Sequence, residues 1–179
     1  MMYCSAQNTA ITRLTDSEFK QLEEFTSMDS LHIVQITDSH EPGTQLIICG
    51  TIVKKRNGNP IPNLNIYLYH TDNTGEYQRQ IEDDVTSARL NGTVMTNKEG
   101  RFTVKTILPG DYVTHPDTKH IHTIVTGAKT EDYEFYFEQF IIDYLRITIE
   151  NKDQLYLIDL KKIDNGTLVG FITLEVKGL

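Results

Sequence analysis

The chain of 179 residues carries 17 Lys and Arg against 25 Asp and Glu, a formal net charge of −8, and 39% of its residues are hydrophobic. That length suits one domain with a sizeable core rather than two. The acidic balance, with no basic run longer than Lys54-Lys55-Arg56, argues against nucleic acid and anionic membranes as partners, and no apolar stretch reaches the length of a membrane span.

Two cysteines, Cys4 and Cys49, give no disulfide framework, and Cys49 inside Leu46-Ile-Ile-Cys-Gly50 reads as a small core residue. The opening residues lack the basic and apolar regions of a complete leader, so the chain as given reads as soluble and cytoplasmic. Cys4-Ser-Ala-Gln7 is nevertheless similar to the tail end of a bacterial export signal, and an upstream leader would make the protein an exported one.

Leu14 to Phe25 reads as a short amphipathic helix, capped by Thr15 with Glu18 completing a capping box, and burying a stripe of Leu14, Phe19, Leu22 and Phe25. From Gln45 onward the pattern is β, with short runs rich in Ile, Val, Thr, Tyr and Phe between turn signals such as Asn57-Gly58-Asn59-Pro60. The expected strands are 45–54, 63–70, 92–96, 102–107, 120–126, 133–140, 144–150, 154–161 and 168–176. Together they predict an all-β sandwich of mixed and antiparallel strands, with a short N-terminal helix and long loops. Residues 1–44 form an N-terminal extension in this reading and 45–179 the β-sandwich unit, one domain overall. The polar segment from Asp72 to Asn91, including the acidic triplet Glu82-Asp83-Asp84, reads as a solvated loop with Tyr77 near its start.

Chemistry gathers between Pro109 and His122. An extended His120-Ile121-His122 presents two imidazoles on one side of a strand and turns Ile121 to the other. On its own such a pair is moderately specific, since it binds metal only where further ligands converge. Its companions are Gly75-Glu76-Tyr77 and Pro109-Gly110-Asp111-Tyr112. Two phenols and two imidazoles form a hard to borderline donor set, which suits iron(III).

In this order, from Gly50 to Val125, the motifs resemble those of the intradiol ring-cleavage dioxygenases, non-haem iron(III) enzymes that open catechols between the two hydroxyls. The resemblance implies a prealbumin-like sandwich and an iron(III) site with Tyr77, Tyr112, His120 and His122 as ligands. It makes Tyr112 also the catalytic ligand, the one that leaves the iron and takes a substrate proton. A small aromatic diol and dioxygen are the implied reactants, a muconate-type dicarboxylate the product, aromatic compound catabolism the context, and a homo-oligomer joined through sheet edges a possible assembly.

Two positions depart from the family pattern. Asp117 stands where an arginine commonly binds substrate, with Lys119, His115 and Arg89 as candidates to replace it, so Asp117, Lys119 and Arg89 form the expected substrate-binding group. Thr123 stands where an apolar residue is usual. Two other readings stay open: a prealbumin-like binding module without catalysis, in which Tyr112 is only a strand-edge residue, and an iron-binding member with weak turnover because of Asp117.

Overall fold

The computed structural model describes residues 10–112, 118–150 and 152–179, apart from the side chains of Asp143, Tyr144 and Glu150. The first strand, β1 (Thr12–Arg13), leads into helix α1 (Asp16–Thr26), whose capping box between Thr15 and Glu18 is formed on both sides. Leu22 and Phe25 of that helix are buried with Leu14 packed beside them, whereas Phe19, expected in the same stripe, is 48% exposed. The helix therefore covers a narrower strip than its periodicity predicts.

Ten further strands follow: β2 (Ile33–Gln35), β3 (Gln45–Lys54), β4 (Asn65–His70), β5 (Leu90–Met95), β6 (Arg101–Ile107), β7 (Thr118–Val125), β8 (Asp132–Ile141), β9 (Leu155–Ile158), β10 (Leu160–Lys162) and β11 (Leu168–Val176). They form a six-stranded sheet in the order β1-β10-β11-β3-β6-β2 and a five-stranded sheet in the order β5-β4-β7-β8-β9. Both sheets are mixed, because β11 runs parallel to β3 and β9 parallel to β8 while most other neighbours are antiparallel. This is the all-β sandwich predicted from the strand pattern.

The core lies between the sheets. Ile48, Ile52, Phe102, Val104 and Leu174 come from one side, and Ile66, Leu68, Ile121, Phe135 and Phe137 from the other, all at 0% exposure. On the far face of the six-stranded sheet, Cys49 and Val169 pack against Leu22 and Phe25. Because side chains alternate along a strand, burying Leu68, Ile121 and Phe135 turns Tyr67, Tyr69, His120, His122, Glu134 and Tyr136 to the outer face of the five-stranded sheet.

Two expected strands take other forms. Residues 144–150, expected as a strand, belong to helix α2 (Asp143–Glu150). A period of 2 would group Leu145, Ile147 and Ile149, but the structure buries Ile149 with Leu145 packed beside it and leaves Ile147 63% exposed, which is helical spacing. The apolar surface of Tyr136, Leu155 and Leu157 selects it. Residues 154–161, expected as one strand, divide at Asp159 into β9 and β10, which join different sheets. Gln139 holds the crossover, donating to the Asp159 carboxylate at 2.6 Å and accepting from Leu160 N at 3.0 Å.

Thr123, on the inward side of β7 with Ile121 and Val125, is 1% exposed, and its hydroxyl has no hydrogen-bond partner among the described residues. A buried hydroxyl without a partner keeps its desolvation cost. Thr123→Val, close in shape, is expected to raise the unfolding free energy by about 1 kcal/mol, measured by urea denaturation; an unchanged or lower midpoint would contradict this account.

Candidate metal centre

Four side chains from three segments meet on the outer face of the five-stranded sheet. Strand β7 supplies His120 and His122, whose Nε2 atoms lie 3.0 Å apart. The loop after β4 supplies Tyr77, its hydroxyl 2.9 Å from His122 Nε2. The loop after β6 supplies Tyr112, its hydroxyl 3.1 Å from His120 Nε2 and 3.3 Å from His122 Nε2. The two phenol oxygens also touch each other.

The rings are held from behind. His120 Nδ1 lies 2.6 Å from the Thr118 carbonyl, an acceptor only, so Nδ1 carries the proton and Nε2 presents a lone pair in the neutral ring. Tyr136 stacks on His120 with centroids 5.0 Å apart, and Tyr69 stacks on His122 at 4.6 Å. Glu134 accepts from the Tyr136 hydroxyl at 2.5 Å and turns its other oxygen toward His122 Nδ1, 3.9 Å away. Tyr69 lies on β4 and Glu134 and Tyr136 on β8, the strands that flank the histidines, a neighbourhood that the sequence does not display.

Burial favours the neutral form of Tyr77, Tyr112 and His122. It drives the Tyr77 phenol far above the ordinary range, helped by the contact with Tyr112, and raises Tyr112 as well. Desolvation, together with the neighbouring His120, lowers His122 to about 4 against the opposing pull of Glu134. The His122 ring is thus favoured as a neutral imidazole.

The proton count then decides what the cluster fits. Five contacts of hydrogen-bond length or shorter join the four atoms. At most three protons are available to bridge them, two phenolic and one on His122 Nε2, so at least two contacts set lone pair against lone pair. A cation at the centre would turn each repulsion into a bond and lower both phenol pKa values. Among the described residues no group of three or more His, Cys, Asp and Glu side chains is placed to hold a metal, so a site here depends on the two tyrosines.

The approach of the tyrosine loops rests on two glycines. A Cβ on Gly75, at φ +90°, would overlap the Asp111 carbonyl, and one on Gly110 would overlap Gly75 N. The Gly110 amide donates to Asp72 O at 2.8 Å, and the Thr71 hydroxyl to Gly110 O at 3.0 Å. Beneath them His70, fully buried, meets Thr71 O through Nδ1 and the Thr106 hydroxyl through Nε2, both at 2.7 Å. It is a satisfied core histidine.

Of the expected substrate-binding group, Asp117 lies outside the described residues, as does His115. Arg89 grips Glu41 through two bonds of 2.9 and 2.6 Å, and its amide donates to Tyr77 O at 2.8 Å. Lys119 pairs with Asp111 at 2.9 Å and lies over the Phe140 ring. Both cations are thus paired with carboxylates. Beside Tyr77 a hollow of about 700 Å³ opens, lined by Glu76, Gln78, Arg79, Gln80, Glu82 and Asp83 as well as Tyr77.

Residues 18–134 match the family model described as Dioxygenase, that of the intradiol ring-cleavage dioxygenase C-terminal domain. Catechol 1,2-dioxygenase of Acinetobacter baylyi is 28% identical over 91 residues, and the match covers 50% of this chain and 29% of that relative. The dioxygenase domain of a dioxygenase and carbohydrate-binding protein fusion from Streptomyces sp. SirexAA-E superposes with a TM-score of 0.64 at 18% identity, covering 100% of this chain and 97% of that one. An intradiol ring-cleavage dioxygenase of Tetranychus urticae gives 0.61 at 19%, over 85% and 90% of the two chains, and 3-chlorocatechol 1,2-dioxygenase of Rhodococcus opacus 1CP gives 0.61 at 19%, over 85% and 67%.

The burial of His70 sets a pH dependence. Desolvation depresses it to about 4, so between its ordinary pKa of ~6.5 and that value the unfolded chain binds a proton that the folded chain does not. Stability should fall as pH drops through this window, by about 3 kcal/mol for one such group, and level off below it for that group. Chemical denaturation of wild type and His70→Asn between pH 7 and 4.5 should show a flatter slope in the variant; parallel slopes would rule His70 out.

Proposed function

Because this chain belongs to the intradiol ring-cleavage dioxygenase family, we propose that it binds iron(III) through Tyr77, Tyr112, His120 and His122 and opens a small aromatic diol with dioxygen to a muconate-type dicarboxylate. The observation that carries this reading is the meeting of four donor atoms with too few protons to bridge them. Two phenolates and two neutral imidazoles would leave iron(III) with one net positive charge, which a hydroxide neutralises and a dianionic diolate exchanges for hydroxide and one phenolate without net change. Both atoms of dioxygen enter the product, so no external reductant is needed. The catalytic unit is assigned to residues 45–179, with 1–44 as an extension.

When bound, the ferric ion would hold diol and dioxygen together and spread the developing negative charge. Tyr112 is assigned the proton-accepting role, its phenolate oxygen taking a proton from the diol as general base. His120 and His122 stay in place, since the Thr118 carbonyl and the stacked Tyr136 and Tyr69 rings hold them. The substrate is assigned as a catechol or hydroxyquinol without a carboxylate. Arg89 and Lys119 are occupied by Glu41 and Asp111, and the hollow beside Tyr77 carries three carboxylates against one arginine.

Purified protein loaded with iron(III) is expected to bind about one ion per chain, to show a tyrosinate-to-iron charge-transfer band that moves to longer wavelength with anaerobic catechol, and to consume dioxygen with catechol. A protein that stays colourless after iron(III) addition would overturn the assignment in favour of a non-catalytic module. Asp117→Arg tests the substrate side. Restoring the arginine that the family commonly carries at this position is expected to raise kcat/KM for catechol roughly tenfold, equivalent to about 1.4 kcal/mol of barrier, and an unchanged or lower value would remove Asp117 from the expected substrate-binding group.

A further inference from the structure

The loop that carries Tyr77 is built around one buried carboxylate. Asp72 is 4% exposed. Its Oδ1 accepts from Thr74 N at 2.8 Å, the Thr74 hydroxyl at 2.6 Å and Glu76 N at 3.1 Å, and its Oδ2 accepts from Gln78 Nε2 at 2.5 Å. The backbone closes the same ring, Asp72 N donating to Glu76 O at 2.9 Å and Gly75 N to Asp72 O at 3.2 Å. Burial pushes this carboxyl upward, but the bonds from Thr74, Glu76 and Gln78 outweigh it and keep the group below the ordinary carboxylate range.

The residue after Tyr77 is strained. Gln78 has φ +46°, a left-handed conformation that is unfavourable for a residue with a Cβ and persists only where the surroundings impose it. Its exposed side chain is tied to Asp72, so the bond that fixes this conformation also fixes the direction in which the chain leaves Tyr77. Asp72 reaches the second tyrosine too, since its carbonyl accepts the Gly110 amide two residues before Tyr112.

We propose that Asp72 is a positioning residue, whose carboxylate holds the 72–78 loop in the strained form that places the Tyr77 hydroxyl against Tyr112 and His122. Its metal consequence rests on the ligand assignment above. The clasp itself does not, because its bonds join only groups of the chain. A carboxylate is not required for charge: an asparagine would keep the Oδ1 acceptor, and its amide would donate to a flipped Gln78 side chain. An alanine keeps neither bond.

The test compares Asp72→Ala, Asp72→Asn and Gln78→Ala with wild type, with the folded fraction of each checked by thermal denaturation. In metal-free protein, amide hydrogen exchange at Gly110 is read, whose acceptor is a backbone carbonyl that every variant retains. Exchange is expected to speed up in Asp72→Ala, to stay near wild type in Asp72→Asn and to fall between in Gln78→Ala. With iron(III), affinity is expected to drop roughly 10- to 100-fold in Asp72→Ala, the usual range for losing an outer-shell support, with a displaced charge-transfer band, and Asp72→Asn should restore both. Wild-type exchange at Gly110 in folded Asp72→Ala would overturn the positioning role, as would an Asp72→Asn variant as impaired as alanine. If Asp72→Ala does not fold, Gln78→Ala decides by the same two readouts. Failure of wild type to bind iron would overturn the ligand assignment and leave the exchange result to decide the clasp.

Discussion

Two loops cross at Gly75 and Gly110 with no room for a Cβ on either, and most of what is distinctive in this molecule follows from that contact. It brings Tyr77 and Tyr112, 35 residues apart in the chain, into hydroxyl contact above a strand that already presents two imidazoles. The side-chain bonds around the crossing, from Asp72 and Thr71, serve it. The backbone contact sets how closely the two loops approach.

The result is a half-buried set of donor groups, of which Tyr77, Tyr112 and His122 are favoured as neutral by their surroundings. Such a cluster would be costly if nothing bridged the donors, since desolvated polar groups without partners lose their hydration and gain nothing. A multivalent cation reverses the balance: phenols ionise, imidazoles need no proton change, and burial then strengthens the attraction. Depressed histidine and raised tyrosine pKa values are consistent with one another here, because desolvation opposes charge of either sign.

Strand β7 links stability to the site. Its inward residues Ile121 and Val125 sit in the sandwich core, and its outward residues His120 and His122 face the tyrosines, so the packing that holds the strand also fixes the imidazoles. Tyr69 and Tyr136 extend this outward by stacking on the two rings from the neighbouring strands. The flaw in the inward row is Thr123, whose hydroxyl has no partner among the described residues.

The sequence by itself determined the β class, most strand positions and the capping box of α1, because alternation and capping are local properties of the chain, whereas the grouping of Tyr77 and Tyr112 with the two histidines came from the family resemblance of the motifs. It misplaced residues 144–150, where Leu145 and Ile149 fit either period until the surface of Tyr136, Leu155 and Leu157 chooses the helix. It ran β9 and β10 together, because which sheet a strand joins depends on its partner and not on its own residues. Only the tertiary structure showed that Arg89 and Lys119 are taken by Glu41 and Asp111, that Tyr69 and Tyr136 back the histidines, and that Asp72 ties the two tyrosine loops. Those are contacts between distant segments, and their energies exist only once the sandwich has brought the segments together.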